Sequence, residues 1–242
     1  MIKIALCDDN EVERRLLRKI VTAVLQELHQ EVLIVEFSSG EKLQRNFSRG
    51  DYDLIFLDVF MKEMDGIATG RAIRKKDVKV EIILATGSDQ YLREGYELHA
   101  FAYLMKPYDV MQVRATICDY FSRNQVSTHD EDMEFLRFSV QQKKFCIKQR
   151  EISVIESEGR VVYIYHGDEK YRAYQRLNTI EQKLNMKYFL RCNQSYIINV
   201  EQVDGVIDYE LQMKNGMVIP IRKRDKKDIV QKYYQKKSEL ND

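Results

Sequence analysis

No apolar stretch in the 242 residues approaches the roughly 20 that a membrane-crossing helix needs. The chain starts at once in a strand-like pattern, without a basic region and a following apolar segment, so no signal peptide is expected. Cysteine is sparse. Cys7, Cys118, Cys146 and Cys192 are scattered without CxxC spacing, which points to neither a metal site nor a disulfide framework. They read as reduced thiols, the state expected in the cytoplasm. Helix-turn-helix pairs, zinc-finger spacing, internal repeats and low-complexity segments are also missing from the sequence.

What is present divides into two parts. The overall net charge of +1 conceals an asymmetry. Residues 1–124 hold 18 basic and 20 acidic side chains, and residues 133–242 hold 21 basic and 15 acidic ones. A mildly acidic front and a basic back fit a regulatory module joined to one that binds a polyanion.

Apolar runs of strand length occur at 2–7, 32–37, 54–57, 81–85 and 101–104. Helix-like segments lie between them, near 11–29, 40–48, 66–75, 90–97 and 108–123. Val12, Leu16, Ile20, Val24 and Leu28 recur at fours and suggest one apolar helical stripe. Five such repeats predict an α/β unit, with a parallel sheet covered by helices on both faces. A flavodoxin-like strand order is the usual solution at this size.

Residues 124–132 are polar and lack a period, as a linker would. Beyond them the runs are short and mostly antiparallel β in character, at 135–140, 144–147, 152–155, 161–165, 196–198, 203–207 and 217–221. Asn215-Gly216 marks a hairpin. One short helix is expected at 176–185 and a basic one from about 223.

The chemistry-bearing residues of the first half all fall at strand ends. Asp8 and Asp9 follow the first run, Asp58 the third, Thr86 the fourth and Lys106 the fifth. In a parallel sheet these five meet at one edge. Clustered carboxylates suit a hard divalent cation such as Mg2+, and a carboxylate can also attack phosphorus. Lys106 and the Thr86 hydroxyl could then hold a phosphoryl group. Taken singly, each has an ordinary structural explanation, such as helix capping for the Asp9-Asn10 pair. Their joint placement favours a phosphoryl site.

In the second half, Arg222, Lys223 and Arg224 begin a run of five cations in six residues. Arg191 precedes Asn193, Gln194 and Ser195, side chains able to contact base edges or phosphates.

Residues 1–124 resemble the receiver domain of two-component response regulators. The resemblance rests on Asp8-Asp9, on Asp58-Val59-Phe60-Met61-Lys62-Glu63-Met64-Asp65-Gly66, on Thr86, and on Ala102-Tyr103-Leu104-Met105-Lys106-Pro107. It implies that Asp58 is the phosphoacceptor, that Asp8, Asp9 and Asp58 serve a Mg2+ site, and that Thr86 and Tyr103 form a switch pair. Lys62 departs from the proline usual at its position. Residues 133–240 resemble the LytTR-type DNA-binding domain, a ten-stranded β structure, within a second domain expected over 133–242. The matching stretches are 152–157, 188–199 and 215–222. That resemblance implies DNA contacts at Arg160, Arg191, Asn193, Gln194, Arg222, Lys223 and Arg224; many relatives carry histidine in place of Asn193. Asn199 is expected to bond backbone and hold the loop.

The resulting expectation is a cytoplasmic response regulator and not an enzyme. A sensor histidine kinase would phosphorylate Asp58, favouring a homodimer on promoter DNA. Two alternatives stand beside it: a basic half that binds RNA or protein, and an aspartyl-phosphate phosphatase. The phosphatase would want an acid two residues after the nucleophile, where this chain has Phe60.

Overall fold

The computed structural model describes residues 1–88, 92–124, 134–140, 143–221 and 223–240. They form two compact units, Met1–Asp119 and Tyr120–Asp242. The expected linker at 125–132 lies outside the described residues.

In the first unit, strands β1 (Ile2–Cys7), β2 (Val32–Phe37), β3 (Leu54–Asp58), β4 (Glu81–Thr86) and β5 (Ala102–Met105) alternate with helices α1 (Glu11–Glu27), α2 (Gly40–Asn46), α3 (Gly66–Lys76), α4 (Leu92–Glu97) and α5 (Val110–Asn124). The strands are all parallel, in the order β2-β1-β3-β4-β5. This is the flavodoxin-like doubly wound order. Every residue of β3 is buried, because helices cover both faces of a central parallel strand. Each fully buried Leu, Ile or Phe there contributes about 1.5–3 kcal/mol. At the sheet edge, β2 is only half-buried.

Helix α1 begins at Asn10, whose side chain accepts from the backbone N–H groups of Val12 and Glu13. Its buried face is Leu17, Ile20, Val21, Val24 and Leu25. The stripe expected at fours is therefore wrong at its start: Val12 is 75% exposed and Leu16 45%. Positions four apart advance about 40° beyond a full turn at each step, so such a series drifts off a straight helix's buried face.

In the second unit, a five-stranded sheet has the order β10-β9-β8-β12-β11. Its strands are β8 (Ile152–Glu158), β9 (Val161–His166), β10 (Glu169–Ala173), β11 (Phe189–Arg191) and β12 (Tyr196–Asn199). A second sheet joins β13 (Val203–Ile207), β14 (Glu210–Met213) and β15 (Val218–Pro220), and a hairpin joins β6 (Phe135–Val140) and β7 (Lys143–Lys148). Ten strands thus stand among the described residues of this half, the number the LytTR resemblance implies. All their pairings are antiparallel.

The short helix α6 (Leu177–Glu181) falls within 176–185, and the closing helix α7 (Lys226–Glu239) buries Ile229 and Tyr233 among Val203, Leu211, Met213 and Ile219. The runs of strand character missed β10 and β11, and β14 was implied only by the Asn215-Gly216 hairpin. The first has almost no apolar alternation, and the second is three residues long, too short to show a period. Cys7 and Cys192 are buried free thiols, as expected.

No helix among the described residues is long and apolar enough to cross a membrane.

Candidate phosphoryl site and nucleic-acid interface

Strands β1 and β3 are neighbours, so the residues at their carboxyl ends are too. One ligand oxygen each from Asp8, Asp9 and Asp58 can be chosen so that all lie within 4.8 Å of one another. Asp8 and Asp58 are each 3% exposed, whereas Asp9 is half-buried. The N-cap role falls to Asn10, which leaves the Asp9 carboxylate out of helix capping. Asp8 Oδ1 is tied down by the backbone N–H of Asn10 at 2.7 Å.

Lys106, at the end of β5, reaches across this group. Its Nζ donates to Asp8 Oδ2 at 2.9 Å and also pairs with Glu13. It lies 2.9 Å from Asp58 Oδ1 as an ion pair rather than an aligned hydrogen bond. One ammonium thus faces three carboxylates. Burial pushes the Asp58 carboxyl up to about 6; Lys106 opposes that shift and Asp8 adds to it. Burial alone would lower the Lys106 pKa, yet its hydrogen bonds to Asp8 and Glu13 raise it above the ordinary lysine value.

A buried Asp58 oxygen without a hydrogen bond, beside two more carboxylates, is a donor set that suits a hard cation. The cation would offset the repulsion that a single lysine leaves.

The loop after Asp58 folds back tightly. Gly66 N donates to Val59 O at 3.0 Å, and a Cβ at Gly66 would lie 2.1 Å from the Asp58 carbonyl oxygen. Only glycine admits this approach. Asp65 caps α3 by accepting from Ala68 N, and Lys62 stands exposed in the loop. Thr86 is 1% exposed at the end of β4, and its hydroxyl donates to Ser88 O at 2.9 Å. Tyr103 is half-buried on β5, next to Leu84 of β4.

In the second unit, three segments converge. Ser157 N donates to Ser195 O at 2.7 Å, which ties β8, three residues before Arg160, to the Asn193–Ser195 loop. Asn193 Nδ2 donates to Pro220 O at 3.1 Å, which brings in the chain just before Arg222. Arg160 and Gln194 are exposed. Asn193 and Arg191 are internally engaged. Asn193 Oδ1 accepts from Ser195 N and Tyr196 N. The Arg191 guanidinium donates to Asn193 O, Gln194 O, Asn178 Oδ1 and Glu181. Asn199 bonds backbone, as expected, donating to Arg150 O and accepting from Glu201 N. Arg224 is exposed and contacts Asp225. Arg222 lies outside the described residues.

Residues 4–118 match the family described as response regulator receiver domain, and residues 142–233 match the LytTr DNA-binding domain. The transcriptional regulatory protein LytR of Staphylococcus aureus (strain N315) is 31% identical over 192 residues, covering 73% of this chain and 78% of that protein. The chain is a LytTR-type response regulator. A second relative, the transcriptional regulatory protein NatR of Bacillus subtilis (strain 168), is 28% identical over 235 residues and matches 96% of this chain and 95% of its own length.

Within this LytTR-type regulator, Asp8, Asp9, Asp58 and Lys106 come together at one sheet edge. Thr86 belongs to the same edge by strand register, since β4 pairs with both β3 and β5. One member of the site escaped the sequence reading: Glu13, a second partner for Lys106. It sits in the first turn of α1, where an acid is favourable for the helix dipole alone, so its sequence position gave no separate signal.

Proposed function

We propose that this response regulator stores a signal as a phosphoryl group on Asp58 and uses it to control promoter binding by its LytTR half. Lys106, which spans the carboxylates of Asp8 and Asp58, is the observation that carries the reading. A bound Mg2+ would be held by Asp8, Asp9 and Asp58, and it supplies charge neutralisation on the transferring phosphoryl group. An Asp58 oxygen forms the new O–P bond as the N–P bond of a sensor kinase's phosphohistidine breaks. Lys106 then pairs with the phosphoryl oxygens. Thr86 exchanges its bond to Ser88 for one to a phosphoryl oxygen, and Tyr103 moves with it.

The phosphoryl group adds about −1.5 to −2 charges. It shifts a two-state receiver only by its differential stabilisation of the two states. The favoured state dimerises and grips a two-half-site promoter in duplex DNA. Phe60 supports storage over turnover, because an aspartyl-phosphate hydrolase would carry its general acid there. The chain is accordingly read as a cytoplasmic regulator and not as an enzyme. Its receiver spans 1–124, its linker 125–132 and its DNA-binding domain 133–242.

On the DNA side, Arg160, Gln194, Arg222, Lys223 and Arg224 are assigned to direct contact. Arg191 and Asn193 are assigned first to shaping the loop, since their polar atoms bond within it and tie it to Glu181 and to Pro220.

The test is fluorescence anisotropy on a duplex selected from a random library by the wild-type chain, with and without a phosphoryl donor and Mg2+. Asp58→Ala is expected to lose the gain in affinity. A variant that responds like wild type sinks the phosphoryl reading, and a preference for structured RNA over the duplex sinks the DNA reading.

A further inference from the structure

Helix α4 contains a glycine with no conformational reason to be there. Gly95 does not have a positive φ, so its backbone is open to any residue. Glycine is a poor helix former, and its presence inside a six-residue helix needs another explanation. Space supplies it. A Cβ at Gly95 would lie 1.3 Å from Tyr103 Oη, 2.2 Å from Tyr103 Cζ and 2.7 Å from Leu84 Cδ1. The ring of Tyr103 crosses α4 at this point, and its hydroxyl is hydrogen-bonded to the Gly95 backbone.

We propose that Gly95 is a positioning residue of the receiver: the side chain it lacks leaves the slot on α4 that seats the Tyr103 hydroxyl. Of the two side chains in the way, Leu84 is fully buried in β4 and has little room to yield. Tyr103 is half-buried and anchored to the strand next to β4, so it is the group that moves. A methyl group at position 95 therefore turns Tyr103 out whether or not Asp58 is phosphorylated. Thr86 lies two residues beyond Leu84, the register partner of Tyr103. With Tyr103 held out, its position no longer differs between the two receiver states, and the coupling from Asp58 to the DNA-binding half weakens. This consequence rests on the phosphoryl reading above; the slot itself does not.

The experiment uses four full-length chains: wild type, Gly95→Ala, Tyr103→Ala and the double variant. In thermal unfolding, Gly95→Ala is expected to lower the receiver transition in the wild-type background. In the Tyr103→Ala background the same substitution lowers it less, because the ring is gone and only the Leu84 methyl still stands in the way. An equal destabilisation in both backgrounds overturns the proposal. If Gly95→Ala alone fails to fold, a folded double variant supports the slot and an unfolded one refutes it.

The second readout is the ratio of affinities for the selected duplex with and without phosphoryl donor. That ratio falls by about fivefold or more in Gly95→Ala, the low end of ordinary coupling between sites. The phosphorylated fraction, read on a phosphate-affinity gel, stays at the wild-type level. An unchanged ratio overturns the positioning role. A wild-type chain whose affinity ignores the phosphoryl donor overturns the phosphoryl reading instead, and the unfolding cycle still decides the slot.

Discussion

Replacing Asp58 by asparagine tests the electrostatics of the phosphoryl site without metal or kinase. Burial holds the Asp58 carboxyl up to about 6 against an ordinary 3.8, even with Lys106 at 2.9 Å. The shift is about two pKa units, and each unit is worth about 1.36 kcal/mol. Ionised Asp58 therefore costs the metal-free receiver about 3 kcal/mol, an order-of-magnitude figure. The sign follows from a raised acid. Both states are protonated below about pH 4, so no cost is present there. As the pH rises the unfolded state ionises first, and the cost is complete once the pH passes the folded value. The carboxamide of Asp58→Asn would keep the shape and drop the charge. In EDTA at about pH 8, urea unfolding should show Asp58→Asn stabilised relative to wild type by up to this amount. The gap should close as the pH approaches 4. Saturating Mg2+ should then stabilise wild type more than the variant, since only binding to the folded state adds stability. A variant less stable than wild type in EDTA would falsify this account, by showing that Lys106 outweighs burial and repulsion.

Other substitutions probe separate links. Gly66→Ala must push the loop off the Asp58 carbonyl and should cost about 1–3 kcal/mol, with slowed phosphorylation by a small phosphoryl donor. Gln149 is 1% exposed; its amide donates to Phe135 O and Lys183 O and accepts from Asn185 N. Gln149→Leu strands those backbone groups and should destabilise the DNA-binding unit by about 2–4 kcal/mol in urea unfolding. Burial pushes the Cys7 and Cys192 thiols up to about 12. At about pH 8 only about one in ten thousand is thiolate, so peptide mapping should find both unalkylated in the folded chain and labelled in urea. Arg191→Lys should weaken duplex binding nearly as much as Arg191→Ala, because a lysine cannot reproduce the four-way guanidinium clamp on the loop. A full rescue by lysine would return Arg191 to the list of simple phosphate contacts.

The sequence by itself determined the βα alternation, the change to short strands after the polar stretch, and the placement of Asp8, Asp58, Thr86 and Lys106 at strand ends. Those signals are local: apolar runs, turn residues, and the residue that follows a strand. Parallel pairing then follows from chain direction and crossover length, which is why one sheet edge could be foreseen. Tertiary structure decided what depends on distances between residues far apart in the chain. Only the fold separates Asn10 as the helix cap from Asp9 beside the carboxylate cluster. Only the fold shows Glu13 as a second partner for Lys106 and places Val12 and Leu16 outside the helix's buried face. It also shows Arg191 bonded to Glu181 and Asn193 bonded to Ser195 within the protein, where composition alone would have offered them to DNA. Gly95 is the sharpest case. Its meaning lies in a tyrosine ring eight residues later that crosses its helix. A side chain's absence is informative only once the structure shows what occupies its place.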